Sequence, residues 1–425
     1  MNNYEFFILL LENPGIYGIS LILALTIFYC IFKRARTSLL NPLAFNFFSY
    51  MIGGAVLFFL TLIGSVSIDA AIYVVASGMI FWSIVFGFQC KYKSITNIKF
   101  QGENRVRSIM FFIAYFLFIL FNLATYMFLG IPLLNEQSRL VTYAGSGLGF
   151  LERLQPALIS YVLFYIFLKI DQHPKKIHYY AYLIPFIIFG ILSGSRSAFL
   201  QICFAFWGFK YFYQGTEISL IKYIGLIWTL LAVTTTSFFI QNQADIYLSI
   251  INIAQRISAA GDIYWQSLPN QNFTYLVQDN PIISILYGFL GPLRLIDQSN
   301  VDRPLGFQIN EIVNPTLLDV NAGPLSTFSI YGLAAFGVGG GLIFTFIQAL
   351  FAGLLLRFFR RTTSSLIISS ALYTMFNSST ALLADLSYGL GSLFSAICSV
   401  ALLFCIFMLG KVLFGLKTIR INVSS

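Results

Sequence analysis

Long apolar runs recur along the whole chain, and they constrain the fold more than any other feature. Many stretches of about 20 residues carry few or no charges, which is what a membrane-crossing helix requires. Only 10% of the residues are charged, whereas soluble domains carry roughly a quarter. The runs also lack the period-two alternation of membrane β-strands. The sequence therefore predicts an all-α polytopic membrane protein.

The predicted membrane spans number about eleven, each assigned from a run long enough to cross the bilayer core. They cover residues 15–32, 43–63, 70–90, 108–130, 149–170, 178–194, 197–213, 220–239, 327–356, 363–385 and 391–410. The sixth and seventh are shorter than the others. The residues before the first run lack the basic stretch of a cleavable signal peptide, so none is expected.

Basic residues give the predicted orientation. Nineteen of the 25 fall on one side of the eleven-span arrangement, in segments 33–36, 91–107, 169–176, 210–222, 357–361 and 411–420. Because lysine and arginine accumulate on the cytoplasmic side, that side is assigned to the cytoplasm. The N-terminus is then expected outside and the C-terminus inside.

The longest polar insertion lies between the eighth and ninth predicted spans and divides the chain into three expected regions, 1–239, 240–326 and 327–425. By the charge argument the insertion faces outward. It carries seven acids and three arginines, so nucleic acid is not an expected partner. Residues 244–260 have helical apolar spacing. The run 281–296, interrupted by glycine and proline, is too short to span and favours a re-entrant or interfacial element.

The outward-facing basic residues are all arginines, at positions 139, 153, 196, 256, 294 and 303, whereas the cytoplasmic set contains eleven lysines. A guanidinium offers a planar, bidentate fork for phosphate, carboxylate and sugar hydroxyls. The set therefore indicates a phosphate-binding face. The alternative for any single arginine is that it snorkels to the interface or pairs with a nearby acid.

Two local patterns strengthen this interpretation. Residues 193–197, which read SGSRS, place Ser195 and Arg196 at a turn before an apolar run, where helix N–H groups favour an anion. A simple hairpin turn is the alternative. Arg153 lies at the outer entrance of the fifth predicted span, and a charge there usually faces a cavity or a partner.

Other features predict no chemistry of their own. Gly337 and Gly341 have the small-xxx-small spacing of close helix packing. Several aromatic residues predicted to lie outside are candidates for stacking on sugar rings: Tyr264, Trp265, Tyr275, Tyr287 and Tyr331. No metal or cofactor is expected, because the five cysteines lie in apolar runs. Both histidines lie on the cytoplasmic side, so an outer general base would be a carboxylate.

The chain resembles Wzy-type oligosaccharide repeat-unit (O-antigen) polymerases over roughly residues 150–345. The resemblance lies in the many spans, the large late outer loop with its arginines, the SGSRS turn, and the loop exit NAGPLSTFSIYG at 321–332 followed by Phe336-Gly337. It implies a glycosyltransferase-C-like membrane protein of the bacterial inner membrane with its active site facing the periplasm. The substrates would be undecaprenyl-diphosphate-linked glycans, with a chain-length-determining co-polymerase as a candidate partner.

On that mechanism an acceptor hydroxyl attacks the donor's anomeric carbon and polyprenyl diphosphate leaves. The hypothesis assigns Asp262 and Glu311 as candidate bases and Arg196 and Arg294 as catalytic diphosphate ligands. Further substrate-binding candidates are Arg153, Arg256, Arg303, Ser195, Asn321 and Tyr331. The leaving group carries two phosphates, so arginines can stabilise its charge without a metal.

Three other function classes stay open. An O-antigen ligase shares the architecture and the donor, but its outer loop typically carries a functional histidine that this chain lacks. A lipid-linked oligosaccharide flippase or secondary carrier would place charges deep in spans and show internal repeats. A non-enzymatic scaffold is the third alternative.

Overall fold

The computed structural model describes residues 1–31, 38–89, 95–96, 103–131, 149–193, 197–218, 258–276, 278–315 and 323–413. Within these ranges nearly all regular structure is helical. The N-terminal half contains α1 Asn3–Glu12, α2 Pro14–Ile31, α3 Pro42–Leu62, α4 Ile68–Phe88, α5 Glu103–Leu129, α6 Gly149–Arg153, α7 Gln155–Gln172, α8 His178–Ala181, α9 Ile184–Leu192 and α10 Ser197–Gly208. A π-helical turn, Phe209–Tyr213, extends α10.

The C-terminal half begins with short elements and ends with long helices. The helices are α11 Asp262–Ser267, α12 Pro281–Leu290, α13 Leu305–Val313, α14 Phe328–Phe359, α15 Leu366–Ser379 and α16 Leu386–Leu413. Short 3-10 turns lie at Ala259–Gly261, Pro269–Tyr275, Gly291–Leu293, Gln298–Asn300 and Thr380–Leu383. Two-residue strands β1 Ile95–Thr96 and β2 Thr362–Thr363 pair in parallel.

Six of the described helices are long and apolar enough to cross a membrane, which confirms a polytopic all-α membrane protein. They are Pro42–Leu62, Ile68–Phe88, Val106–Leu129, Phe328–Phe359, Leu366–Leu383 and Leu386–Val412. They match the predicted spans at 43–63, 70–90, 108–130, 327–356, 363–385 and 391–410. A seventh span results if the bent pair Asn3–Glu12 and Pro14–Phe28, with 97° between its helices, is counted as one.

The remaining predicted spans stand differently. The run 149–170 is divided between α6 and α7, and 178–194 forms only a short apolar helix, His178–Leu192. The run 197–213 forms α10 and the π-helical turn, while 220–239 lies outside the described residues. Eleven spans therefore remain a prediction, and about six are present in the described chain.

The chain divides into two compact units. The first unit comprises Met1–Cys90, Ala232–Leu356 and Ser379–Gly391, and the second comprises Lys91–Leu231, Arg357–Ser378 and Ser392–Ser425. Part of the predicted insertion thus folds with the N-terminal helices. Its described portion is partly helical, as the sequence indicated.

The core of the first unit joins the insertion to the N-terminal helices. Trp265 stacks on Phe6 with ring centroids 4.0 Å apart, and its indole N–H donates to Asn3 Oδ1 at 3.1 Å. Gly261 packs directly on Val56 of α3, where a Cβ would lie 2.7 Å from the valine Cβ. The core of this unit therefore fixes residues 258–276 in place.

In the second unit a buried carboxylate organises the helix starts. Glu103, at the first turn of α5, accepts the Leu366 backbone N–H at 2.6 Å and so satisfies an orphan donor at the start of α15. Tyr161 donates to the Arg107 carbonyl at 3.0 Å, and Thr374 donates to Ser160 at 2.9 Å. These contacts tie α5, α7 and α15 together.

The interpretation of Gly337 as a packing glycine is wrong. Its φ of 68° and ψ of −172° break α14, and no atom of the described residues lies within 4 Å of where its Cβ would be. This backbone region is essentially restricted to glycine. The chain folds back here, since a Cβ on Gly332 would lie 3.0 Å from the Gly341 Cα. Gly341 alone fulfils the predicted close packing.

Candidate functional site

The predicted site residues fall into three groups. Ser195, Arg196, Arg256 and Asn321 lie outside the described residues. Arg153 belongs to the second unit, where its guanidinium lies 5.8 Å from the Phe394 ring centroid. The first unit holds the remaining five, which are Asp262, Arg294, Arg303, Glu311 and Tyr331.

Two of these five, Arg303 and Glu311, meet in an open cleft of about 500 Å³. Its lining residues all belong to the insertion: Tyr275, Asp302, Arg303, Gln308, Glu311 and Ile312. Arg303 and Glu311 form an ion pair, with both side chains partly accessible to solvent. The cleft therefore presents two carboxylates, a guanidinium, an amide and an aromatic ring.

The amphipathic pattern of α13 explains how its side chains come to line the cleft. Leu305, Gly306 and Ile309 are buried on one face. Gln308 and Glu311 are three residues apart and share the side away from these buried residues, while the exposed Ile312 lies at the edge between the two sides. The Gln308 amide donates to the Arg303 carbonyl at 2.7 Å, which fixes the segment leading into the helix.

Asp302 connects the cleft to α12. One of its carboxylate oxygens accepts the Asn280 backbone N–H at 2.9 Å and the Ser284 hydroxyl at 3.1 Å. Its own backbone N–H donates to the Ser284 hydroxyl oxygen at 3.1 Å. The start of α12 and the cleft therefore form one hydrogen-bonded assembly.

Close backbone contact holds α13 against the exit of the insertion. A Cβ on Gly306 would collide with the Pro324 carbonyl oxygen, and one on Gly323 would collide with the Gly306 carbonyl oxygen. Gly323 and Pro324 belong to the exit segment on which the resemblance rests. In this structure their local role is to allow a close crossing with the cleft helix.

The structure separates the aromatic candidates of the sequence. Tyr264 and Trp265 are only 1% and 2% exposed, so the possibility that they stack on sugars is wrong. Tyr331 is half-buried, and its hydroxyl donates to the Pro281 carbonyl at 2.9 Å. Tyr275 is 69% exposed and lines the cleft. It is the aromatic side chain available to a ligand there.

The other predicted residues of the first unit do not line the cleft. Asp262 is half-buried at the first residue of α11, and that helix packs against α13. Arg294 is exposed after the 3-10 turn Gly291–Leu293, in the left-handed conformation with φ 56° and ψ 29°. The structure thus brings Arg303 and Glu311 together and places Asp262 on a neighbouring helix.

Asp385 is a further polar residue of the first unit and is not among the predicted site residues. It accepts the Ser326 hydroxyl and, at 2.8 Å, the Tyr388 backbone N–H at the start of α16. Burial raises the pKa of this carboxyl, while hydrogen bonds from Ser326, Tyr388 and Ser387 oppose the rise. Ser326 lies in the loop exit at 321–332, so that motif was the sequence signal that pointed to this region.

In the part of the chain that the structure describes, no group of three or more His, Cys, Asp or Glu side chains is arranged to bind a metal ion. Comparison with protein-family models, curated proteins and solved structures gave no match for this chain. The functional argument therefore depends on the chemistry of the cleft.

Proposed function

We propose that this membrane protein polymerises undecaprenyl-diphosphate-linked oligosaccharide repeat units into a surface polysaccharide. It is a glycosyltransferase of the bacterial inner membrane, and its cleft faces the periplasm. The growing glycan is transferred from its lipid carrier to a new lipid-linked unit. The proposal also takes up the resemblance of the loop exit and the SGSRS turn to O-antigen polymerases.

The observation that carries this proposal is the composition of the cleft. Carboxylates at Asp302 and Glu311 and the Gln308 amide offer hydrogen-bond partners for sugar hydroxyls. Arg303 adds a planar donor fork, and Tyr275 adds an exposed ring face. A few polar groups beside an aromatic surface are typical of a small-molecule site.

In the proposed reaction Glu311 is the general base. The acceptor hydroxyl oxygen attacks the anomeric carbon of the donor sugar, and its proton passes to the Glu311 carboxylate. The bond between that carbon and the diphosphate oxygen breaks, and the electron pair leaves with polyprenyl diphosphate.

Further arginines are assigned to the departing diphosphate. Arg196 and Arg256 are the candidates for this role, whereas Arg294, the third arginine of the sequence hypothesis, is exposed and does not line the cleft. Charge-assisted bidentate hydrogen bonds to phosphate are strong, so guanidinium groups suit this role.

The direct test uses the purified protein in phospholipid nanodiscs with a defined undecaprenyl-diphosphate-linked repeat unit. The proposal predicts a ladder of products that differ by one repeat unit. Single units left unchanged, with correctly folded protein, would contradict it. In cells, deletion of the gene should leave surface glycan as single capped repeats. Accumulation of long lipid-linked chains would indicate a ligase instead, and trapping of single units in the cytoplasm a flippase.

A further inference from the structure

Helix α12 is held firmly on one side. Ser387 donates its hydroxyl to the Ser284 carbonyl at 3.0 Å, and Tyr331 donates to the Pro281 carbonyl. A Cβ on Gly288 would collide with the Ser387 carbonyl oxygen, so the two backbones are in direct contact. The position of α12 is thus fixed against the first turns of α16.

The other side of α12 and the residues after it are apolar and exposed. These side chains are Ile282, Leu286, Leu293 and Leu295. A soluble protein rarely leaves such a contiguous apolar strip uncovered. Hence the strip faces either lipid or another apolar partner.

The contact with α16 decides which of these applies. The apolar span begins at Leu386, directly after the polar Asp385, so Ser387 and Gly391 lie near its membrane boundary. Gly288 packs on both of them. A ten-residue helix is about 15 Å long and cannot cross a bilayer core of about 30 Å. Because α12 packs on α16 near this membrane boundary, its exposed apolar face meets the lipid interface.

Arg294 completes the pattern. Its backbone is left-handed, which is an uncommon conformation for a non-glycine residue. Its exposed guanidinium makes no hydrogen bond or ion pair with any residue in the described ranges. An arginine at the edge of an interfacial apolar helix is placed to bind lipid phosphate.

We propose that residues 281–295 form an interfacial anchor, whose leucines and isoleucines enter the lipid layer while Arg294 binds a phospholipid phosphate. Asp302 ties this anchor to the cleft through Ser284 and Asn280. The anchor therefore holds the cleft near headgroup depth, where a lipid-linked sugar would be presented. The anchor itself depends only on membrane embedding and stands whether or not the proposed reaction does.

Depth measurements test the apolar part. In a variant lacking the five native cysteines, a nitroxide label is placed by Leu286→Cys, Leu295→Cys or Ile312→Cys, and the protein is reconstituted in phospholipid. Ile312 is the control matched to Leu286, because the two apolar side chains are 37% and 41% exposed. Labels at 286 and 295 should be accessible to oxygen and shielded from a water-soluble nickel complex, with the reverse at 312. Equal water accessibility at all three sites would overturn the anchor.

Thermal stability tests the phosphate contact. Arg294→Gln is chosen because asparagine or glycine would relieve the left-handed backbone and mask the loss. The variant should melt a few degrees below the wild type in phospholipid nanodiscs and at the same temperature in maltoside detergent. An equal shift in both media, or none, would contradict lipid-phosphate binding. Stabilisation of the wild type in detergent by inorganic phosphate, absent from the variant, would replace the lipid with a free anion. Neither test involves a glycan, so their failure differs from failure of the polymerase.

Discussion

Two neighbouring regions of the predicted insertion differ in how far they are exposed to solvent. Residues 258–269 are largely buried in the core of the first unit, where Ile263, Tyr264 and Trp265 are almost fully enclosed. Tyr275 and residues 302–312 instead line an open cleft, which holds Asp302, Arg303 and Glu311. The first region builds the scaffold, and the second carries the chemistry. Aromatic and acidic residues of one outer loop therefore cannot be pooled into one site.

The largest expected effect concerns the base of the cleft. Glu311→Gln should lower the rate of chain growth by about 10²–10⁴-fold, the usual contribution of a general base. Stability should change by less than about 1 kcal/mol, because the pair with Arg303 is partly exposed. Product ladders and thermal melting measure the two quantities. Asp279→Asn, an exposed acid of the same insertion, is the control and should leave the rate unchanged.

Replacing an aromatic residue in each region sharpens the comparison. Trp265→Ala should destabilise the protein by about 3–5 kcal/mol, because it leaves a cavity beside Phe6. Tyr275→Ala should change stability by less than about 0.5 kcal/mol but weaken glycan binding by about 0.5–1.5 kcal/mol. Denaturant unfolding and glycan titration would show this. A stable Trp265→Ala protein with impaired binding would reverse the assignment of the two regions.

The crossing of α13 and the loop exit gives a smaller effect. Gly306→Ala should cost about 1–3 kcal/mol, since its Cβ has no room beside the Pro324 carbonyl. Gly339→Ala is the matched control, because its Cβ position has no neighbour within 4 Å in the part of the chain that the structure describes. The control should be neutral or slightly stabilising in the same melting experiment. Equal losses in both variants would remove the close crossing as the cause.

The smallest expected effect concerns the buried carboxyl group of Asp385, in contrast to the partly exposed carboxylate of Glu311 in the cleft. Burial raises the pKa of Asp385, so its carboxyl stabilises the fold most when protonated. That stability is present below the ordinary aspartate pKa of about 3.9 and is lost as pH rises through the higher folded value. Asp385→Asn keeps an acceptor for Ser326 and Tyr388. The variant should therefore show a flatter dependence of melting temperature on pH above about 4 than the wild type does.

Hydrophobicity predicted the membrane class and six of the span-length helices, because a run of apolar residues needs no tertiary information. It did not place the helix breaks at Leu154 and around Tyr182, which divide the predicted spans 149–170 and 178–194 into shorter helices. The role of Gly337 was predicted wrongly, because glycine is used both for close helix packing and for chain reversals. The sequence alone does not distinguish these two uses.

The site was predicted in part. Arg303 and Glu311 were predicted from their charge and from the side of the membrane assigned to them. In the structure, Glu311 of α13 forms an ion pair with Arg303, which lies two residues before that helix. Tyr275 could not be distinguished from Tyr264, as both are tyrosines of one loop and only packing makes one exposed. Asp385 lies far from Ser326 in sequence, and their hydrogen bond needs the fold.

The central claim is that the open part of the insertion, and not the packed part, binds the glycan. Photocross-linking tests it directly, with p-benzoylphenylalanine in place of Tyr275 or, as a matched control, of Tyr4; these tyrosines are 69% and 74% exposed. In nanodiscs containing a lipid-linked repeat unit, position 275 should cross-link to the glycan and position 4 should not. Polymer formation without any cross-link at 275 would contradict the account.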